Sequence, residues 1–212
     1  MVGAILRRTL LALLAPLLLA ACGTPAWAPD EDVARARYVH NGPTELVLYT
    51  MVNNRTGQGG HTGLMINGSQ RVLFDPAGSW RHSHAPERND VFYGMTPTME
   101  RFYIAYHARE TWHLVVQRIE VPLAVADRAI RLAEQAGPVP NAYCTQSTSR
   151  ILRQLPGFES LPQTFHPVRL STAFGALPGV TTDHIYSDLP DDAVPERLRA
   201  QELRAEALLQ EN

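Results

Sequence analysis

Apolar positions fall in an uninterrupted run from Leu10 to Leu19, lose all period between residues 23 and 43, and then gather in short stretches separated by turn residues. Leu46-Val47-Leu48-Tyr49-Thr50-Met51-Val52 is rich in β-forming side chains and is closed by Asn53 and Asn54, which predicts a strand. Gly57 to Gly60 make a flexible link to the next strand, which begins at His61 and runs to Ile66. Asn67-Gly68 follows and Gln70 to Phe74 returns, a hairpin signature because both turn residues tolerate left-handed backbone. Asp75-Pro76-Ala77-Gly78 ends it. Residues 79 to 98 carry Trp80, Pro86, Tyr93, Gly94 and Pro97 without a period and predict a long loop able to wall a cleft.

Beyond that loop a short helix is expected over residues 99 to 107, and residues 112 to 121 form the clearest strand pattern in the chain. Residues 123 to 136 read as a helix stopped by Gly137 and Pro138. Asn141 is the expected cap of a further helix running to about residue 155, where Pro156-Gly157 stops it, so Cys144 falls in its first turn. Residues 158 to 189 mix proline, glycine and aromatics as an ordered cover would, and residues 196 to 209 suit a surface helix or frayed tail. The order of elements predicts an α+β fold, an antiparallel sheet packed against the helix that carries the cysteine.

The first apolar run takes its meaning from its flanks. Arg7 and Arg8 precede it, Ala20 and Ala21 follow it, and it contains Pro16. A bilayer-spanning helix needs about 20 apolar residues, so this run reads instead as an export signal. Leu19-Ala20-Ala21-Cys22 resembles the lipobox of bacterial lipoproteins. That resemblance implies cleavage after Ala21, lipidation of Cys22 and a place in the bacterial cell envelope. Gly23 after the cysteine implies the outer membrane, with the protein facing the periplasm. The chain then divides into a signal peptide (1–21), a tether (22–43), one domain (44–189) and a C-terminal helix or tail (190–212).

Charge excludes one class of partner. The 19 basic residues are all arginine and face 21 acids. With Arg7 and Arg8 removed, 17 arginines remain against the same 21 acids, a net charge of −4 that gives no basic footprint for nucleic acid. Cysteine usage is more informative. Of the 2 cysteines, Cys22 is consumed by lipid, so Cys144 is a free thiol where structural cysteines usually pair. It is either a small buried hydrophobe or a reactive nucleophile.

A thiolate is favoured at a helix N-terminus, where unsatisfied N–H groups and the helix dipole stabilise negative charge. A nucleophilic Cys144 also needs a base, oriented in turn by a third polar group. His61 is the best base among 8 histidines, because it opens a strand after Gly59 and Gly60, where another group can approach closely. Asp75 is the best orienting group, subject to hairpin register. If Met65 pairs with Ser69 around a left-handed Gly68, His61 and Asp75 share a face. A two-residue Asn67-Gly68 turn puts them on opposite faces. The competing reading of Asp75 is a cap of its Asp-Pro turn; that of His61 is a strand-end histidine bonded to backbone. His82 and His84 form a His-x-His pair that could bind zinc with a third ligand, though it sits in a polar loop with Arg81 and Arg88.

His61-Thr62-Gly63-Leu64, then Asp75, then Tyr143-Cys144-Thr145 resemble, in kind and order, the circularly permuted NlpC-like branch of papain-like thiol hydrolases, to which lecithin:retinol acyltransferase-like enzymes belong. The resemblance spans roughly residues 45 to 155. Asn-Ala-Tyr-Cys departs from the Asn-Cys pair common among the acyltransferase-like members. The resemblance implies a permuted papain-like core in which Cys144, His61 and Asp75 are catalytic, with no metal or organic cofactor. Substrates within reach of an envelope anchor are peptidoglycan stem peptides, slightly favoured, and lipid acyl groups. A non-catalytic binding lipoprotein is the alternative.

Overall fold

The computed structural model describes residues 25–193 and residue 200. The signal peptide, Cys22 and all but Ala200 of the expected C-terminal helix lie outside the described residues. Seven strands form one antiparallel sheet: β1 (Glu45–Asn53), β2 (Gly59–Asn67), β3 (Arg71–Phe74), β4 (Glu87–Arg88), β5 (Val91–Tyr93), β6 (Trp112–Glu120) and β7 (Thr181–Ile185), in spatial order β4-β5-β3-β2-β1-β6-β7. Five helices accompany it among the described residues: α1 (Asp30–Ala36), α2 (Pro97–His107), α3 (Leu123–Glu134), α4 (Cys144–Leu152) and α5 (Pro167–Gly175). The α+β expectation holds at that level.

Both faces of the sheet are covered, which explains why β1 reads as a continuous apolar run rather than an alternating one. Leu46, Leu48, Leu64, Ile66, Val72 and Phe74 pack with α3, α4 and α5. Val47, Tyr49, Met51, Met65, Leu73 and Phe92 pack with α2 and Trp80. Each fully buried Leu, Ile or Phe here contributes roughly 1.5–3 kcal/mol relative to an exposed one. Helix α2 starts where Thr96 accepts a hydrogen bond from the Met99 N–H at 3.2 Å, with Pro97 at its first position. Helix α3 buries the stripe Val125, Ala126, Ala129, Ile130 and Ala133.

The hairpin takes neither expected register. Met65 pairs with Leu73 and Asn67 with Arg71, leaving Gly68-Ser69-Gln70 as a three-residue connection. A helix holds this turn from outside: Asp127 of α3 accepts the Ser69 N–H at 2.8 Å, and Gly68 packs against Asp127 and Ile130. The shift is an even number of residues from the Met65–Ser69 pairing, so His61 and Asp75 still share a face.

Three further expectations are corrected. The segment expected as a tether contains α1 and lies on the fold: Ala28 N–H donates to Glu87, Asn89 N–H to Ala26, Arg71 N–H to Tyr38, and the Arg88 guanidinium sits 4.8 Å from the Trp27 ring. Helix α1 fully buries no residue and lays only Val33 partly against the core, so no apolar stripe betrays it, and Asp30, Glu31 and Asp32 suit its first turn through the helix dipole. Asn141 is not the cap of α4; Ala142 turns through a left-handed conformation (φ 69°) and Tyr143 stands at the cap, so Cys144 begins the helix. The loop of residues 79 to 98 carries the short strands β4 and β5.

Candidate active site

Strand β3 stops at Phe74, opposite Leu64, so the β2 residues before Leu64 have no partner on that side. His61 and Asp75 meet in this notch. His61 Nε2 lies 2.7 Å from Asp75 Oδ1, with the carboxylate fully buried and the imidazole 17% exposed. Position 75 is diagonal to His61 in the observed register, a separation that long side chains bridge. Tyr103 of α2 donates its hydroxyl to the same Oδ1 at 2.7 Å. A Cβ on Gly63 would overlap that hydroxyl, and one on Gly78 would collide with Asp75 Oδ2.

Cys144 reaches His61 from the other side. His61 is the strongest influence holding its thiol down against burial, and because Nε2 is engaged by Asp75, Nδ1 is the nitrogen left to face the sulfur. The neighbours in sequence make the fit: Thr62, next to His61, and Thr145, next to Cys144, are both fully buried and share a hydroxyl–hydroxyl hydrogen bond of 2.9 Å. That bond ties β2 to the first turn of α4. The Thr145 hydroxyl also lies 3.7 Å from the sulfur. Cys144 is 8% exposed, and its position at the start of α4 leaves its own N–H without an intrahelical acceptor.

Electrostatics follow from this packing. Burial alone would depress His61, but the Asp75 charge, its hydrogen bond and the sulfur outweigh burial and raise the imidazole to about 10. Burial pushes Asp75 up; His61, then His107 and the Tyr103 hydroxyl, bring it below the ordinary carboxylate value. For Cys144, burial is again opposed, by the hydrogen bond and charge of His61 and by two hydrogen bonds from Thr145, and the net shift is downward. The His61 and Cys144 shifts both act in the direction of a thiolate–imidazolium pair.

Sequence reasoning missed two members of this cluster. His107 of α2 stacks on His61 at 6.0 Å between ring centroids, and its Nδ1 lies 2.8 Å from the Tyr103 carbonyl. Burial, with repulsion from His61, lowers it to about 4, so it is neutral. Tyr103 and His107 are four residues apart, a spacing that puts them on one helix face.

The other candidates stay outside. His82 stacks on Trp80 and Phe102, and its Nδ1 accepts the His84 N–H at 3.1 Å. Among the described residues no group of three His, Cys, Asp or Glu side chains could hold a metal ion. A groove of about 320 Å³ lined by His113, His184, Gln117 and Val168 lies between α5 and strands β6 and β7. Beside Cys144, Tyr143 and Phe165 meet edge to face at 5.1 Å, and both are exposed. No helix among the described residues is long and apolar enough to cross a membrane. No protein family, characterised protein or solved structure matches the chain.

Proposed function

We propose that this chain is an envelope-anchored thiol hydrolase of amide or ester bonds, a permuted papain-like enzyme of the NlpC-like kind held at the membrane by lipid on Cys22. The observation that carries the reading is the convergence of three separate segments on one imidazole: Asp75 bonds His61 at 2.7 Å, and His61 is what draws the Cys144 thiol below its ordinary value. The Cys144 thiolate attacks the substrate carbonyl carbon, and the carbonyl electrons move to oxygen. The Cys144 N–H is aimed at that oxyanion from the helix start. Collapse of the intermediate breaks the C–N or C–O bond, and the His61 imidazolium gives its proton to the leaving amine or alcohol. Water then attacks the thioester carbonyl while His61 takes its proton, and release of the acid restores thiolate and imidazolium. Asp75 keeps the imidazole in the tautomer and orientation that this exchange needs.

A peptidoglycan stem peptide is the favoured substrate, on the ground of what an outer-membrane anchor facing the periplasm can reach. A lipid acyl ester is the second reading, supported by the exposed Tyr143–Phe165 pair beside the nucleophile. The test is hydrolysis of peptidoglycan fragments and of acyl esters by the protein and by Cys144→Ser. Native activity on one class is expected, with a loss on the order of 10⁴-fold or more in the variant. Equal rates for the two proteins would end the thiol-hydrolase reading. In cells, Cys22→Ser should leave the membrane fraction; retention there would remove the anchor.

A further inference from the structure

A side chain at the glycine of His61-Thr62-Gly63 would point into the α2 side of the sheet, toward Tyr103 and Asp75. There it meets a core tyrosine. Tyr103 is fully buried, packed edge-on against Trp80 and Tyr49 at 5.6 and 5.3 Å between ring centroids, so its ring cannot retreat. A methyl group at position 63 would overlap the Tyr103 hydroxyl and stand 3.2 Å from Asp75 Oδ1.

From this we infer that Tyr103 is a positioning residue of the active site, and that Gly63 is required because it seats the Tyr103 hydroxyl against Asp75. The inference rests on the thiol-hydrolase reading. Asp75 Oδ2 is buried without a hydrogen-bond partner, so Oδ1 carries both the His61 and the Tyr103 bonds. Without the tyrosine, one bond to a moving imidazole is all that fixes the carboxylate. Other groups face Asp75 as well: His107 from α2, Asp90 at the turn before β5, and Glu87 of β4. His107 is neutral above about 4 and the two acids oppose the Asp75 charge, so His61 and the tyrosine donor are what hold the carboxylate charged and in place. An Asp75 no longer held by the tyrosine can turn from the imidazole, His61 then loses the alignment that sets it against the sulfur, and the Cys144 thiol rises toward its ordinary value.

The experiment is the pH profile of Cys144 alkylation by iodoacetamide in the full folded chain, with folding followed by near-ultraviolet circular dichroism. Tyr103→Phe should move the onset of labelling upward by on the order of one pH unit, the scale of one lost hydrogen bond to an ionised group. Gly63→Ala should do the same by displacing the hydroxyl. In the Tyr103→Phe background Gly63→Ala should add little, because no hydroxyl remains to displace. A structural tyrosine would change melting temperature and leave the profile in place. If Asp75→Asn shifts the profile and Tyr103→Phe does not, or if Gly63→Ala costs as much in the phenylalanine background as in the native one, the inference is overturned. If Asp75→Asn also leaves it unmoved, the catalytic reading falls with it. Should Gly63→Ala fail to fold, the Tyr103→Phe and Asp75→Asn profiles decide alone.

Discussion

His61 and His107 stack on one another and yet hold opposite charge states, one raised to about 10 and the other lowered to about 4. The difference lies in who touches the carboxylate: His61 bonds Asp75 directly, while His107 bonds a backbone carbonyl and feels its neighbour's charge. Each shift has a sign in stability. His107 is neutral when folded and protonates below about 6.5 when unfolded, so stability falls as pH drops from there toward 4. The lowered Cys144 adds to that acid-side loss. His61 contributes fully below about 6.5 and loses its contribution as pH rises through about 10. The proton missing from Cys144 and the one His61 retains act in opposite directions on the pH dependence, so the two partly offset each other between their ordinary values. Melting temperatures across pH check this. In His107→Asn the fall between pH 6.5 and 4 should be shallower, by up to about 1.4 kcal/mol per pH unit; an equally steep fall would contradict the neutral assignment. At this scale Cys144 and His61 were legible from an unpaired thiol at a helix start and a histidine after glycines. Tyr103 and His107 were not, because their value comes from a carboxylate that only tertiary folding brings to them.

Between elements, the site depends on how α4 docks on β2. The Thr62–Thr145 hydrogen bond lies at full burial between the two elements and beside His61 and Cys144 in sequence. Thr145→Val orphans the Thr62 hydroxyl and Thr62→Val leaves Thr145 only the Cys144 sulfur, so each should cost about 1–3 kcal/mol in urea unfolding. The Thr62→Val, Thr145→Val double variant should cost less than the sum of the two, since no buried hydroxyl of the pair is left unpaired; additive losses would mean that the pair does not couple the elements. Strand and helix identities were readable from period and turn chemistry, as β1, β6 and α3 illustrate. Register was not. The turn after Asn67 is set by Asp127, sixty residues on, which no local signal encodes. Helix α1 was hidden for a different reason: it fully buries no residue, and its acidic first turn looks the same in a linker.

On the scale of the whole molecule, the cluster of His61, Asp75, Tyr103, His107 and Cys144 is a product of the complete sheet. β2 supplies His61, the end of β3 supplies Asp75, α2 crosses the opposite face with Tyr103 and His107, and α4 brings Cys144 over the notch where β3 stops. Residues 61, 75, 103 and 144 have no reason to interact in an unfolded chain, so a reactive thiol is a property of the native state alone. The α+β class was legible because strands and helices could be counted from their patterns; the coverage of both sheet faces was not, because polar stretches such as residues 79 to 98 turned out to carry β4 and β5 and the buried Trp80. The most direct measurement is therefore iodoacetamide labelling of Cys144 against pH, in the native protein, in His61→Ala and in urea. Native protein should begin to label at a clearly lower pH than the unfolded chain, because His61 holds the thiol below its ordinary value. His61→Ala should move the onset toward about 8.5, as should unfolding, while His82→Ala should leave it unchanged. Labelling of the folded native chain only near pH 8.5, indifferent to His61, would contradict the catalytic pair and leave Cys144 an ordinary thiol.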